Sequence, residues 1–308
     1  MADPASPSTS PASEPSGLPH ALGAYLIWGF LPLYLMLVAS VPPFEFVGWR
    51  IIWTLPLCLL IVAWRGQFGE LRAALANRRA LLALTASALL IGFNWLVYVW
   101  AIMAGEVYAA SIGYYINPLI NVLLGAAFLG ERLSRWQWLA VAIALLAVAL
   151  LAAGALTTLW ISLCLALSFA LYGLVRKQVA VGSLPGLTIE SAILIAPSLA
   201  IAGWYAASPA GSAFAQDWQM SALIVFSGVV TAVPLLLFAI AARRMEYSTL
   251  GFIQYLAPTI VFLLGLTVFR QELRPVQLAS FVLIWSAVAI FIGDIWRRKR
   301  AARKLVAA

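Results

Sequence analysis

Charged side chains inside long apolar stretches are the residues of this sequence with the clearest capacity for chemistry. Arg50 lies about six residues into the second such stretch, Glu45 nearer its start, and Glu190 early in the seventh. An ionised group costs about 2.5–3.5 kcal/mol near the centre of a membrane helix, so it usually faces a cavity. We expect Arg50 to face a substrate cavity; pairing with Glu45 or a helix-end carbonyl is the alternative. For the two glutamates we favour snorkelling and capping near helix ends over ion coupling.

Polar and aromatic side chains recur at helical spacing in the same stretches, as they do on helix faces that line a wet cavity. Tyr114, Asn117 and Asn121 share one face, and we favour interhelical packing for Asn121 alone. Arg176 shares a face with Tyr172, which could bring it to a cavity mouth. The predicted cavity residues are Trp28, Arg50, Asn94, Trp95, Tyr98, Tyr114, Tyr115, Asn117, Tyr172, Arg176, Gln254 and Tyr255.

One of these stretches occurs twice, and each copy has a proline in its interior. The first copy runs from Tyr108 to Glu131 and the second from Tyr247 to Glu272, with Pro118 and Pro258 at an offset of 140. Interrupted helices in matching halves mark the binding sites of many transporters, so we interpret both prolines as helix breaks. Bending for packing alone is the alternative. We interpret the glutamate that ends each copy as structural, near the N-terminus of the next helix.

The high hydrophobic content of the chain indicates that these residues lie on helices that cross a membrane. The chain has 308 residues, of which 64% are hydrophobic and 10% charged, whereas soluble domains carry about 25% charged residues. One histidine and two cysteines inside apolar runs argue against a metal site, and we expect no cofactor. Each span needs about 20 residues. Ten spans are predicted, at about 20–40, 44–64, 80–104, 108–129, 135–154, 157–176, 186–207, 219–242, 247–269 and 275–296.

Basic residues set the predicted orientation. With ten spans, 16 of the 19 lysines and arginines fall on the side that holds both chain termini. The positive-inside rule therefore places both termini in the cytoplasm. Nine or eleven spans would scatter these charges.

An odd number of spans per repeat inverts the second half relative to the first. The predicted domains are a disordered tail over 1–17, five-helix repeats over 18–154 and 155–296, and a basic cytoplasmic tail over 297–308. Residues 1–17 lack the basic region of a signal peptide, so no cleavage is expected.

Several motifs resemble one transporter family. Among them are AYLIWGFLPLY at 24–34, FNWLVYVWA at 93–101, SIGYYINPL at 111–119, LSFALYGLVRK at 167–177 and STLGFIQYLAPT at 248–259. Together they resemble the drug/metabolite transporter (DMT) superfamily with two EamA-type halves, and most closely the RarD subfamily of permeases, which is named for chloramphenicol sensitivity. The resemblance implies an all-α polytopic inner-membrane permease. Gly48-Trp49-Arg50 departs from the pattern, in which a histidine often precedes the arginine, so no proton relay on that histidine is expected.

The predicted function is secondary transport of a small organic metabolite or drug by alternating access, with ion coupling left open. The partners are that solute and membrane lipids; nucleic acid is not expected and a homodimer is left open. A lipid-modifying enzyme is disfavoured because acids and histidines do not cluster, and a scaffold or sensor would not need two matching polar segments. If Arg50 faces the cavity, it favours neutral, zwitterionic or anionic solutes with apolar parts. The aromatic residues expected around them are Trp53, Trp95, Tyr98, Tyr114 and Tyr172.

Overall fold

The computed structural model describes residues 16–270 and 272–306, with the backbone alone at 299 and 302–306. Most of the predicted disordered tail lies outside these residues, while Ser16 accepts a hydrogen bond from the N–H of Leu18, where α1 begins (3.2 Å). The elements are α1 Leu18–Leu37, α2 Pro43–Trp64, α3 Phe68–Ala76, α4 Arg78–Met103, α5 Val107–Phe128, α6 Arg135–Ala152, a 3₁₀ segment Ala153–Thr158, α7 Leu159–Gln178, α8 Ser183–Ala207, α9 Trp218–Arg244, α10 Tyr247–Gln254, α11 Leu256–Thr267 and α12 Pro275–Val306.

The helices cross a membrane ten times. In the described chain, nine helical stretches are long and apolar enough to span, and one of them, Arg135–Gln178, has 44 residues. The Tyr108 hydroxyl at the start of α5 donates to the Leu151 carbonyl at the end of α6 (3.0 Å). Near the start of α7, the Ser162 hydroxyl donates to the Ala109 carbonyl (2.6 Å). The chain therefore reverses at the 3₁₀ segment, and the predicted division into spans five and six is confirmed.

Short polar residues fix where several helices begin. The Asn77 side chain accepts hydrogen bonds from two N–H groups in the first turn of α4. Ser134 and Gln137 form a reciprocal capping box at the start of α6, and Asp217 caps α9. Each cap satisfies N–H groups that have no partner inside their own helix, which stabilises a helix start by roughly 1 kcal/mol.

The two internal prolines behave differently. The ninth span breaks at Tyr255, between α10 and α11, because Pro258 has no N–H for the carbonyl four residues earlier. The predicted break at Pro118 is wrong, since α5 is continuous through it. Packing holds α5 in place: a Cβ on Gly251 of α10 would lie 2.7 Å from the Pro118 carbonyl oxygen, so the two backbones are in close contact there. One missing hydrogen bond is tolerated where a neighbouring helix packs this tightly.

The helices pair reciprocally across the molecule. The predicted repeats match α1 with α7, α4 with α9, and α5 with α10 and α11. Accordingly, α1 packs on α9 while α7 packs on α4, and α2 packs on α8, α5 on α10, and α6 on α12. Reciprocal pairing is what two inverted repeats around one twofold axis would produce. The pairing is consistent with two repeats, and the boundaries given for them from the sequence stay a prediction.

Large apolar side chains cover the outside of the bundle. Leu60, Leu82 and Leu89 are each more than 60% exposed in the absence of lipid. A soluble protein rarely exposes so continuous an apolar surface. Because helices bond nearly all of their backbone groups internally, such a surface is stable in hydrocarbon, and the chain is a multi-pass membrane protein.

Cysteine labelling can test the predicted orientation. Leu156 and Trp218 are 69% and 76% exposed and lie at the end of the bundle opposite the start of α1. If the positive-inside rule holds, Leu156→Cys and Trp218→Cys react with a membrane-impermeant maleimide added outside intact cells. The exposed Arg78→Cys, at the other end, is the matched control and reacts only after the membrane is permeabilised. The reverse pattern would contradict the predicted topology.

Candidate functional site

A cavity of about 760 Å³ lies at the centre of the bundle. Residues from α1, α2, α4, α5, α7 and α9 to α12 line it, joined by one residue of α6. Spans one, three, four, six, eight and nine all contribute to the wall, and so do span two, which carries Arg50, and span ten. Among the residues that the structure describes, α8 contributes none.

The cavity reaches only one end of the bundle. Its lining includes Val41 between α1 and α2, Ile102 at the end of α4, Tyr108 at the start of α5, and Glu272 before α12. All lie at the end opposite the start of α1. No described residue of the connections at the other end, over 65–77, 129–134, 179–182 and 245–246, lines it. The cavity is therefore closed toward the side of the N-terminus.

Arg50 lies in the wall of this cavity. Its Nε donates to the Thr231 hydroxyl of α9 (3.0 Å), and its guanidinium carbon lies 4.6 Å from the centre of the Trp95 ring of α4. Contact with an indole face stabilises a cation where water is scarce. The alternative pairing with Glu45 is not made. Glu45 instead accepts from Trp49 (3.1 Å), from the Ala213 N–H (2.9 Å) and from the Ser212 hydroxyl.

Glu45 therefore holds the loop between α8 and α9 against α2 through hydrogen bonds. It is fully buried, where snorkelling had been predicted. The loop also inserts Phe214 beside Trp49 (centroids 4.4 Å apart) and Trp53 (6.0 Å). Trp53 packs there and does not line the cavity, so its predicted stacking role is wrong.

Aromatic side chains form the rest of the wall. Tyr98 and Tyr114 meet edge to face with centroids 6.0 Å apart, and Tyr114 is 51% exposed to the cavity space. Trp28 and Tyr34 face them from α1. Such rings give a large apolar contact area with few rotatable bonds.

Three amides form a buried polar cluster under the cavity. Gln254 donates to the Asn117 side-chain oxygen (2.5 Å), and Asn121 donates to the Gln254 side-chain oxygen (2.7 Å). Asn117 also donates to the Ala166 carbonyl of α7 (2.6 Å). The cluster ties α5 to α7 and α10. Asn121 packs between helices, as we expected, whereas Asn117 and Gln254 also reach the cavity.

Asn94 couples α4 to α7 beside this cluster. Its amide nitrogen donates to the Leu165 carbonyl (2.8 Å) and to the Ser168 hydroxyl (2.9 Å). Because both amide hydrogens are used, the side-chain oxygen is the group left to meet a solute.

Nine of the twelve predicted residues line the cavity: Trp28, Arg50, Asn94, Trp95, Tyr98, Tyr114, Tyr115, Asn117 and Gln254. Pro258 lines it as well, and Pro118 is buried. Tyr172, Arg176 and Tyr255 do not line it. Tyr255 is 1% exposed and donates to the Tyr115 carbonyl (3.4 Å), so it fastens α11 to α5. Tyr172 stacks on Phe238 beneath the cavity. Helical spacing predicted which residues share a helix face, but it could not predict whether that face meets the cavity or another helix at each position.

Arg176 and Glu190 form an ion pair inside the protein. The Arg176 Nη1 lies 3.5 Å from Oε1 of Glu190, and both side chains are at most 2% exposed. Ser87 of α4 donates to the same carboxylate oxygen (2.5 Å), and Arg176 donates to the Ser183 carbonyl (2.8 Å). The predicted cavity-mouth position of Arg176 and the predicted helix-end position of Glu190 are both wrong, because each charge is buried against the other.

This pair yields a stability prediction. Glu190→Gln leaves Arg176 buried without a counterion, which costs about 3–5 kcal/mol of unfolding free energy. We expect a marked loss of melting temperature in detergent, while Glu70→Gln on the exposed face of α3 changes little. A double variant, Glu190→Gln with Arg176→Met, should recover much of the loss. An unchanged melting temperature for Glu190→Gln would show that the pair contributes nothing.

Tyr34, Thr231 and Glu272 are among the residues of the site that were missed from sequence. Tyr34 extends the stripe of Tyr25 and Trp28 along α1 at steps of three, which could have revealed it. Thr231 is an isolated hydroxyl in the apolar α9, and nothing in the sequence relates it to Arg50. Glu272 had been interpreted as structural, yet it is exposed at the cavity mouth.

Hydrogen bonds fasten the closed end. Glu131, in the loop after α5, accepts from the N–H groups of Tyr247 (2.5 Å) and Ser248 (2.8 Å) in the first turn of α10. It was predicted to lie by the next helix, α6, whose cap is Ser134. Lys177 of α7 donates to the carbonyls of Ala242 (2.9 Å) and Met245 (2.7 Å) at the end of α9.

Comparison with known proteins finds relatives that are named as transporters or as RarD proteins. The EamA-like transporter family model matches residues 15–153. An uncharacterized transporter of Pseudomonas aeruginosa is 43% identical, over 91% of this chain and 94% of that protein. Protein RarD of Escherichia coli K12 is 40% identical, over 93% of this chain and 97% of that protein. Chloramphenicol-sensitive protein RarD of P. aeruginosa is 31% identical, over 93% of this chain and 97% of that protein.

A solved structure has the same fold. It superposes with a TM-score of 0.69 at 19% identity, covering 89% of this chain and 96% of the other.

Proposed function

The chain belongs to the EamA-like transporter family of the drug/metabolite transporter superfamily, within the RarD subfamily, and from this membership we propose that it is a secondary transporter. It moves a small organic solute across the bacterial inner membrane by alternating access. The observation that carries the proposal is the central cavity of about 760 Å³ that opens at one end and is closed at the other. That size falls in the usual range of small-molecule sites, about 300–1,000 Å³.

The closed end consists of two layers. The rings of Trp28 and Phe169 form the floor of the cavity and pack on those of Tyr172 and Phe238 beneath it, with centroids 5.2–6.1 Å apart. Below them lie the bonds from Glu131 to α10 and from Lys177 to α9. With both termini in the cytoplasm, the cavity faces outward, and this closed end is the cytoplasmic gate.

The repeats suggest how the gate alternates. Glu272 matches Glu131, and the start of α5 matches the start of α10. Glu272 and Tyr108 line the same mouth, and no side chain among the described residues caps the N-terminus of α5. In the inward-facing state, Glu272 accepts from the first N–H groups of α5 and closes the mouth, while Glu131 releases α10. Exchange between equivalent contacts is how inverted repeats produce two states of similar energy.

Solute flux into proteoliposomes tests the proposed function. The protein is reconstituted and offered radiolabelled organic acids, amino acids and chloramphenicol, the last because a relative is named for sensitivity to it. We expect saturable uptake of at least one solute that other solutes compete for. Binding without uptake of any solute would favour a sensor or scaffold, and chemical conversion of a solute would favour a membrane enzyme.

A further inference from the structure

We propose that the solute is an organic carboxylate with an apolar body and no ammonium group, and that Arg50 binds its carboxylate. This inference rests on the proposed function and narrows it. From the sequence, neutral, zwitterionic and anionic solutes were all compatible with an arginine in the cavity. The surroundings of Arg50 separate these three classes.

The guanidinium of Arg50 is held on one edge and open on the other. Its Nε is used by Thr231. Its two terminal Nη nitrogens make no hydrogen bond or ion pair with any described residue. Neither nitrogen is fully buried, so both remain accessible to a ligand. Two parallel N–H donors on one edge of a guanidinium match the two oxygens of a carboxylate. An amide or hydroxyl offers at most one acceptor at that edge.

Three helices keep this edge in position. Arg50 starts from α2, Thr231 of α9 holds its Nε, and the Trp95 ring of α4 lies against its face at 4.6 Å. An arginine fixed in this way loses little further freedom when it binds an anion. Arg50 and Trp95 belong to the first predicted repeat and Thr231 to the second, so a bound anion can affect the positions of both repeats.

The charge of Arg50 is not balanced within the cavity. Among the described lining residues, Glu272 is the one acidic side chain, and it lies at the mouth. An arginine stays charged at this depth, so its compensation comes from a bound anion or from water. The same imbalance disfavours an ammonium group beside Arg50, since the deep part of the cavity offers it no carboxylate. Amino acids are therefore poorer ligands than the matching simple acids.

The walls next to Arg50 suit an apolar body. Tyr98 and Tyr114 form an edge-to-face pair that lines the same cavity as Arg50. Trp95, whose face contacts Arg50, lines the cavity as well. Rings of this kind bind aromatic or branched aliphatic groups through their faces.

Calorimetric titration with four matched ligands tests the proposal. The full chain in lipid nanodiscs is titrated with phenylacetate, phenylacetamide, phenethylamine and phenylglycine. We expect phenylacetate to bind about tenfold or more tightly than the amide, because charge-assisted bidentate bonds are about twice as strong as neutral ones. Phenylglycine and phenethylamine should bind more weakly than phenylacetate. In Arg50→Gln the carboxylate and the amide should bind equally, and Thr231→Val, which keeps the charge, should reduce the preference partly.

Each other outcome overturns the proposal. Equal binding of acid and amide to the unaltered protein would do so, as would tighter binding of the amine or of phenylglycine, or no binding of phenylacetate up to its solubility. The ligand series needs no variant, so misfolding of Arg50→Gln does not weaken it. The proposed function fails separately: selective binding of phenylacetate with no solute crossing the membrane would retain the anion site and remove transport.

Discussion

Replacing Arg50 by glutamine is expected to abolish transport while the protein stays folded and inserted. Glutamine can still reach the Thr231 hydroxyl, because its amide nitrogen lies as far along the side chain as the Nε of Arg50. It lacks the two terminal Nη donors and offers no charge to a bound anion. The loss of a charge-assisted contact of about 1.5–3 kcal/mol predicts uptake lowered by at least about tenfold at solute concentrations below saturation. Arg50→Lys should rescue only partly, because an ammonium lacks the planar two-pronged geometry.

The measurement is initial uptake into proteoliposomes of a solute that the unaltered protein carries. Arg65→Gln is the matched control, since Arg65 is exposed outside the cavity and its replacement should leave uptake unchanged. Melting temperature in detergent separates binding from folding. Wild-type uptake by purified Arg50→Gln would remove Arg50 from the site, and a loss of expression or melting temperature that precedes the loss of uptake would make it structural.

Replacing Glu131 and Glu272 by glutamine is expected to shift the protein between its two states in opposite directions. Glu131→Gln weakens the two bonds to α10 and so opens the cytoplasmic gate. Glu272→Gln weakens a contact formed only when the outward mouth closes, so it leaves the cavity open outward. The loss of about 1.4 kcal/mol in either contact changes the ratio of the two states about tenfold.

Alkylation of a cysteine inside the cavity measures this ratio without a known solute. Ser111 lines the cavity and is exposed, so Ser111→Cys, with the partly buried Cys164 replaced by alanine, reacts with an impermeant maleimide through the outward mouth. We expect Glu131→Gln to slow the reaction and Glu272→Gln to speed it. Glu70→Gln, an exposed carboxylate on α3, should leave the rate unchanged.

Opposite signs are the decisive feature of this experiment. If Glu131 were only a helix cap, Glu131→Gln would lower the melting temperature without changing the alkylation rate. If the two glutamates were not equivalent members of inverted repeats, their effects would share a sign or only one would act. Either result would reject the exchange of contacts proposed for the gates.

The two intramembrane arginines show how far the sequence could determine function. Arg50 stood out because charge is costly in lipid, and Arg176 because it shares a helical face with Tyr172. What balances each charge depends on the helices that pack against it, which its own helix does not reveal. Arg176 meets Glu190 and is structural, whereas Arg50 meets Thr231 and Trp95 and keeps two donors open. Spacing along one helix cannot distinguish these two cases.

The sequence by itself determined the ten spans and the helical faces that carry polar and aromatic residues. These follow from the length of apolar runs and from the period of the helix, which are local properties. The motifs also predicted the family, since they combine many such local features.

The tertiary structure alone decided which layer each polar residue occupies and which proline breaks its helix. Pro118 lies in a continuous helix because α10 packs directly against it, and Pro258 lies where α10 and α11 separate. Tyr172 and Arg176 lie in the closed layers of the bundle, whereas Tyr255 is buried in the packing between helices beside the cavity. Depth along a helix has meaning only once neighbouring helices fix where the cavity begins and ends, and those contacts join residues of different helices.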